Sequence, residues 1–301
     1  MIRAVVAGAF EDLRSKDIRF LQEATRSGPV TAVLWNDLLT QRLTGTKARF
    51  PEDERKYLLG AIRVVERVQM LNECIGKDAL PTDIHTIAGD AEDEFVWVVR
   101  ELEHSPEKER FCNANGIGYH VVPDRELQGF PSPCSAERNS SALSSEGRAA
   151  CPHPAADNLT ASISTRKKVI VTGCYDWLHS GHVRFFEEVS VFGDLYVVVG
   201  HDANIRLLKG PGHPLLSQDE RRYVVGSVKH VTEVLISTGE GWLDAEPEIA
   251  RLRPDIYAVN EDGDKGGKRD FCEKHGIEYL VLKRRPAPGL PARTSTDLRG
   301  F

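Results

Sequence analysis

Cysteine is sparse in this chain of 301 residues: Cys74, Cys112, Cys134, Cys151, Cys174 and Cys272, with no Cys-x-x-Cys pair among them. That spacing signals neither a disulfide framework nor a zinc site. Long apolar runs are missing as well, with nothing near the roughly 18 residues that span a bilayer, so no membrane association is expected. The opening MIRAVVAGAFEDL meets acidic residues after one short apolar run and reads as a buried strand rather than a signal peptide. A cytoplasmic location is the resulting expectation, and Asn158-Leu159-Thr160, which fits a glycosylation triplet, is read as a chance match. Positive charge is not in excess. Lys and Arg number 39 against 45 Asp and Glu, a formal net charge of −6. Such a balance disfavours a general nucleic-acid binder and leaves room for a local basic cleft that takes phosphates.

What is present is an ordinary globular composition, 41% hydrophobic and 28% charged, over about twice the length of one domain. Between about Pro131 and Arg166 the chain turns to Ser, Ala, Pro and Asn with almost no large apolar residues. Such a segment cannot bury enough surface to offset its ordering entropy, so it reads as a linker. The flanks resemble each other in three blocks in the same order. VVAGAFEDLRSKDIRFLQEA is echoed by VIVTGCYDWLHSGHVRFFEEV, FPEDERKYLLGAIRVVERV by LLSQDERRYVVGSVKHVTEV, and FCNANGIGYHVVPDRELQGFP by FCEKHGIEYLVLKRRPAPGLP. Three blocks in register point to a domain written twice: 1–131, a linker over 132–166, and 167–301.

Each copy predicts alternating strands and helices. In the second, Val169-Ile170-Val171 bounded by Gly173 reads as a buried strand. A helix carrying Val183, Phe186, Val189 and Val191 follows, then the strand Leu195–Val199. A helix from about Ser217 to Lys229 opens on a Ser cap with Glu220 three residues on. Further strands are expected at 234–236, 256–259 and 279–282. The fold class is therefore α/β, two tandem Rossmann-like domains whose parallel sheets are flanked by helices. Ligands of such sheets bind beyond the carboxyl ends of the strands, where strand order reverses.

Gly173-Cys174-Tyr175-Asp176-Trp177-Leu178-His179-Ser180-Gly181-His182 falls at that place, between a strand end and a helix start. Gly173 permits close backbone approach, and a helix N-terminus presents unpaired N–H groups and a positive dipole end. His179 and His182, with Gly181 between them, can project from one helical turn into one pocket and donate hydrogen bonds to phosphate oxygens whose charge grows in a transition state.

GCYDWLHSGH resembles the signature of the cytidylyltransferase-like nucleotidyltransferase superfamily, with its Gly-x-Phe-Asp strand end and His-x-Gly-His motif; Tyr175 stands where the family usually has Phe. LKGPGHPLLSQDERRYVVGSVKHV is similar to the family's Lys loop and Glu-x-Arg helix, and is particularly close to adenylyltransferases of the ADP-heptose type. Arg293-Thr294-Ser295-Thr296-Asp297-Leu298 resembles the Ser-Thr-rich helix start that closes these domains. Arg284 and Arg285 lie further back than the family's arginine before that element, which leaves their roles open.

The resemblance implies in-line attack of a substrate phosphate on the α-phosphorus of a nucleoside triphosphate, with pyrophosphate leaving. It assigns His179, His182 and Lys209 to catalysis. It assigns Gly173, Cys174, Tyr175, Asp176, Gly181, Asn260, Asp262, Thr294, Ser295 and Thr296 to nucleotide binding, and makes Arg221 a candidate for the acceptor phosphate. CTP is the favoured substrate and ATP the alternative, with magnesium carried by the nucleotide and water and no protein metal ligands. The partners are a nucleoside triphosphate and a small phosphorylated alcohol or sugar, not nucleic acid. A nucleotide-binding regulator without turnover is the reading from another class.

Plainer roles stand beside these. Lys209 fits a solvated loop lysine, Ser295 and Thr296 a simple helix cap, and Cys174 a small buried residue. Arg221 fits a charged helix face, and its counterpart Arg55 survives in the copy that lacks the histidines, which favours structure. His201, His213, His230 and Trp242 are read as structural. The first copy has Arg14 and Asp17 at the histidine positions, Lys16 for the glycine and Glu11 for the aspartate. It is expected not to catalyse but to pair intramolecularly with the second, and its core positions Val5, Val6, Phe20, Leu58, Leu59 and Ile62 remain apolar, as a structural role requires; a homodimer is left open.

Overall fold

The computed structural model describes residues 1–74, 76–81, 84, 93–131, 165–294 and 298. Of the linker expected over 132–166, residues 132–164 lie outside them, with Cys134, Cys151 and the Asn158 triplet, as do Ser295 and Thr296.

The first half runs β1 (Ile2–Gly8), α1 (Ser15–Ala24), β2 (Val30–Trp35), α2 (Asp37–Thr44), α3 (Glu52–Gly60), β3 (Val65–Leu71), β4 (Glu94–Arg100), α4 (Pro106–Asn115) and β5 (Gly118–Val122). The second runs β6 (Lys168–Gly173), α5 (Ser180–Ser190), β7 (Asp194–Val199), α6 (Asp202–Lys209), α7 (Gln218–Gly226), β8 (Glu233–Ile236), α8 (Glu246–Leu252), β9 (Ile256–Asn260), α9 (Lys268–His275) and β10 (Glu278–Leu282). Each half forms one parallel five-stranded sheet, ordered β3-β2-β1-β4-β5 and β8-β7-β6-β9-β10. The strand order reverses between β1 and β4, and again between β6 and β9, so each sheet has its crevice there. Central strands are apolar on both faces because helices cover both: Val30 through Leu34 are all buried.

Local chemistry sets the ends of the helices. Asn36 caps α2 by accepting from the Leu39 amide at 2.7 Å, and Ser105 precedes Pro106 at the start of α4, where the missing N–H costs nothing. Ser217 caps α7 as expected, accepting from the Glu220 amide at 3.2 Å. That helix nevertheless stops at Gly226 rather than Lys229. Residues 227–229 leave it to bond across to the first half: Arg63 N–H donates to the Ser227 carbonyl at 2.8 Å, and Lys229 N–H to the Ala61 carbonyl at 2.9 Å. Val191, expected on the apolar face of α5, lies just beyond that helix's end and is 77% exposed.

One apolar cluster runs from the first half into the second, joining Phe20, Leu59 and Ile62 to Val183, Phe186, Val225 and Val228. All six core positions expected of the first half are buried. Around this cluster the polar contacts come in matching pairs. Ser15 Oγ donates to Glu220 at 2.5 Å and Ser180 Oγ to Glu54 at 2.6 Å. Tyr223 OH donates to Gln22 at 2.6 Å and Tyr57 OH to Glu187 at 2.9 Å. Between them sits an antiparallel bridge of Ile62 with Val228.

Candidate active site

The site is built where β6 ends. Tyr175 takes a left-handed φ of 52°, which costs a non-glycine residue about 1 kcal/mol. The bend folds its ring back over Gly173, where an added Cβ would lie 2.7 Å from the ring. A side chain at 173 is thereby excluded. The Tyr175 ring meets His182 edge to face at 5.1 Å, so the strained residue braces the motif it introduces.

His179 is the N-cap of α5 and fully buried; its Nδ1 accepts from the Gly181 amide at 3.1 Å. That bond leaves Nε2 to carry the proton of the neutral ring. His182, one turn on, stacks on it with ring centroids 3.8 Å apart. The His182 Nδ1 is shielded from solvent and has no hydrogen-bond partner. Burial pushes its pKa well below the ordinary 6.5, and the nearby His179, Arg284 and Lys209 push the same way, against a hydrogen bond with the Trp177 backbone. The ring is therefore neutral near pH 7.

His182 opens on a cavity of about 340 Å³ at the switch between β6 and β9. Gly173, Cys174, Tyr175, Lys209, Asn260, Asp262 and Thr294 also line it. Eight of the expected site residues thus converge on one space. Among the described residues, Asp176, His179, Gly181 and Arg221 do not line it. Asp176 is buried and its carboxylate accepts from the Leu215 and Leu216 amides at 2.7 and 2.9 Å, so it fastens the Gly/Pro loop instead of facing a nucleotide. His179 and Gly181 lie behind His182, where Gly181 admits the Arg293 carbonyl; a Cβ there would sit 3.1 Å from that oxygen. Lys209 is the last residue of α6 rather than part of the loop. Arg221 requires the largest correction. It is 0% exposed, and its guanidinium is consumed by the Leu216, Cys174 and Gly200 carbonyls and by Asp202 at 2.6 Å. Four of its five N–H groups are thereby engaged, and the side chain does not line the cavity.

Several lining residues escaped the sequence reading. Arg284, whose role was open, faces the cavity and donates to Asp262 at 2.8 Å. Lys268 lines it too, buried over Tyr257 with Nζ donating to the Gly263 carbonyl at 3.2 Å, and burial lowers its pKa. Trp242, read as structural, stands 53% exposed at the rim, over Gly266, where a Cβ would lie 2.4 Å from the Trp242 Cβ. Only the glycine doublet before Lys268 offered a signal. Cys174 keeps its plain reading, since burial raises its thiol pKa.

In the first half the corresponding crevice is a cavity of about 710 Å³ lined by Phe10, Glu11, Asp17 and Arg100. Asp17, at the place of His182, accepts from Arg100 at 2.6 Å and from the Arg14 amide at 2.7 Å. Arg14, at the place of His179, turns to the interface and lies 3.8 Å over the Trp177 ring. Among the described residues, no group of three or more His, Cys, Asp or Glu side chains converges on a metal position. No helix of the described residues is long and apolar enough to cross a membrane.

A family model described as cytidylyltransferase-like matches residues 170–298. An FAD synthase of Ferroglobus placidus is 35% identical over 122 residues, covering 40% of this chain and 76% of that protein. An FAD synthase of Aciduliprofundum boonei is 34% identical over 119 residues, 38% of this chain and 76% of that one. The bifunctional protein HldE of Pseudomonas savastanoi is 39% identical over 123 residues, 39% of this chain but only 25% of that protein. Among solved structures, a lipopolysaccharide core biosynthesis protein of Thermoplasma volcanium overlaps 40% of this chain and 98% of its own at 22% identity, with a TM-score of 0.34. The chain belongs to the cytidylyltransferase-like family of nucleotidyltransferases.

Proposed function

We propose that residues 167–301 transfer a nucleoside monophosphate from a nucleoside triphosphate to a small phosphorylated acceptor, releasing pyrophosphate, and that residues 1–131 form a non-catalytic copy of the same domain. The observation that carries the reading is His182, stacked on His179 at the start of α5 and lining the same cavity as Lys209, Asn260, Asp262 and Thr294. An acceptor phosphate oxygen bonds to the α-phosphorus as the bond to pyrophosphate breaks. No protein nucleophile is required, and the side chains orient the phosphates and balance charge. His182 donates to the phosphate oxygens that gain charge, held in place by His179 and Tyr175. Lys209 neutralises the leaving group or the acceptor, and Asn260 and Asp262 meet the nucleoside. Ser295 and Thr296 complete the phosphate cradle that Thr294 begins.

Two cavity carboxylates bear on the metal. Asp244 accepts from Ser237 at 2.7 Å and Asp262 from Arg284 at 2.8 Å. Both are engaged, which fits a magnesium ion held mainly by phosphate and water oxygens. Such an ion would supply charge neutralisation of the triphosphate.

The motif alone favours CTP. The Lys-Gly-Pro-Gly-His-Pro loop and the FAD synthase and HldE relatives favour the adenylyl alternative. For the first half, the Asp17–Arg100 ion pair supports the absence of turnover, because it places a committed carboxylate where a triphosphate would need a donor. Pyrophosphate release, measured with ATP and CTP across phosphosugar, phosphoalcohol and flavin phosphate acceptors, tests the reading. Nucleotide binding without release for any acceptor would favour a regulator instead.

A further inference from the structure

We propose that Glu54, in the first half, is a positioning residue for the second half's site, so that the active centre is completed across the interface between the halves. The inference rests on the nucleotidyltransferase reading above. Glu54 sits near the start of α3 and is 0% exposed. One carboxylate oxygen accepts from Ser180 Oγ at 2.6 Å, inside the His-x-Gly-His motif. The other accepts from Arg293 Nε at 3.0 Å and Nη2 at 2.9 Å. A buried carboxylate that receives a forked guanidinium and a hydroxyl fixes both donors in direction as well as distance.

Those donors belong to the two segments that must hold a triphosphate between them. Ser180 opens α5, directly between His179 and Gly181. Arg293 precedes Thr294, which lines the cavity, and the Arg293 carbonyl packs against Gly181. The Arg293 guanidinium also lies 5.6 Å over the ring of Phe50, another first-half residue. The first half thus provides a socket, Glu54 and Phe50, for the arm that begins the phosphate-binding segment.

The matching contact shows that this is more than an interface bond. Glu220 stands to Ser15 as Glu54 stands to Ser180, at 2.5 and 2.6 Å. Among the described residues, however, no arginine joins Glu220 and Ser15. The serine–glutamate bond is common to both ends of the interface, and among the described residues the arginine arm is present only on the side that has the histidines. A pure docking role for the first half would leave the two ends alike.

Glu54→Gln removes the charge and turns an amide donor toward the Arg293 fork, while keeping volume and an acceptor for Ser180. Glu220→Gln is the matched interface control. Pyrophosphate release and calorimetric binding of magnesium ATP and magnesium CTP are measured on the full chain, with thermal midpoints. The expected result is a loss of about tenfold or more in kcat/KM for Glu54→Gln, with weaker triphosphate binding and little change for Glu220→Gln at a similar midpoint. Arg293→Lys, a surface-side change that keeps charge but not the fork, should reproduce the loss, and the double variant should be no worse than either single one. Equal behaviour of Glu54→Gln and Glu220→Gln, in turnover or in nucleotide binding, overturns the proposal. If the wild-type chain binds nucleotide but releases no pyrophosphate, the activity reading fails by itself, and the binding comparison still decides the role of Glu54. Should Glu54→Gln not fold, Arg293→Lys with unchanged nucleotide affinity overturns it equally.

Discussion

Replacing Arg221 by Met is the sharpest test of how the site is framed. The guanidinium ties together three carbonyls, from Leu216 at 3.1 Å, Cys174 at 2.7 Å and Gly200 at 2.8 Å, and pairs with Asp202 at 2.6 Å. Methionine fills much of the volume but donates nothing. Each buried carbonyl left without its donor costs about 1 kcal/mol or more, and removing one member of a buried ion pair costs about 3–5 kcal/mol. Asp202 is 30% exposed and regains water, so the net loss is about 4 kcal/mol, not the full sum. For a domain of this size that lowers the melting midpoint by about 10 °C. Arg55→Met should cost the same, because Arg55 donates to the Phe50, Ala9 and Trp35 carbonyls and to Asp37 in the same pattern. Differential scanning calorimetry with acceptor kinetics is the assay. A midpoint within about 1 °C of wild type, with a selectively raised acceptor KM, would falsify the structural role and return Arg221 to the acceptor phosphate.

Other outcomes follow from the same geometry. His182→Ala should lower turnover on the order of a hundredfold with little loss of stability, since the imidazole acts on charge that develops in the transition state; unchanged turnover removes the central role given to it. Gly181→Ala should lower both the melting midpoint and kcat/KM, because its Cβ would meet the buried His179 ring at 3.0 Å and the Arg293 carbonyl at 3.1 Å, which outweighs the gain of about 1 kcal/mol in helix propensity. Equal kinetics would show that the C-terminal segment need not touch the motif. The depressed pKa of His182, caused first by burial, means the unfolded chain takes up a proton that the folded chain refuses. Stability should therefore be full above about pH 6.5 and fall as pH drops below it, with His230, half-buried and also lowered, adding in the same sense. A triphosphate should reverse the trend at His182. Its binding should take up protons, measurable by calorimetry in buffers of different ionisation enthalpy, and proton-independent binding would contradict that assignment.

Much of this molecule was readable in order along the chain. Apolar runs located the strands and the Gly-bounded motif located the crevice, because a parallel sheet demands both faces buried and one open end. The family resemblance pointed to His182, Lys209, Asn260, Asp262 and Thr294, which all line one cavity. It could not separate these from Asp176 and Arg221, identical in kind but turned inward, because the direction of a side chain depends on neighbours far away in sequence. Lys268 and Trp242 reach the cavity through a loop whose path no local pattern specifies. The end of α7 was misplaced for a similar reason: residues 227–229 have helical neighbours, but backbone groups of the first half claim their hydrogen bonds.

By itself, then, the sequence determined two α/β halves with the same strand layout, and a Gly-bounded histidine motif at a strand end in one of them. Periodicity and glycine placement are local demands of the backbone, and they are written locally. The tertiary structure decided which charges are free to act and which are consumed in holding the frame. It also brought Glu54 beside Ser180 and Arg293, 126 and 239 residues away. Contacts of that range depend on the packing of one sheet's helices against the other's, and nothing in a local run of residues encodes it.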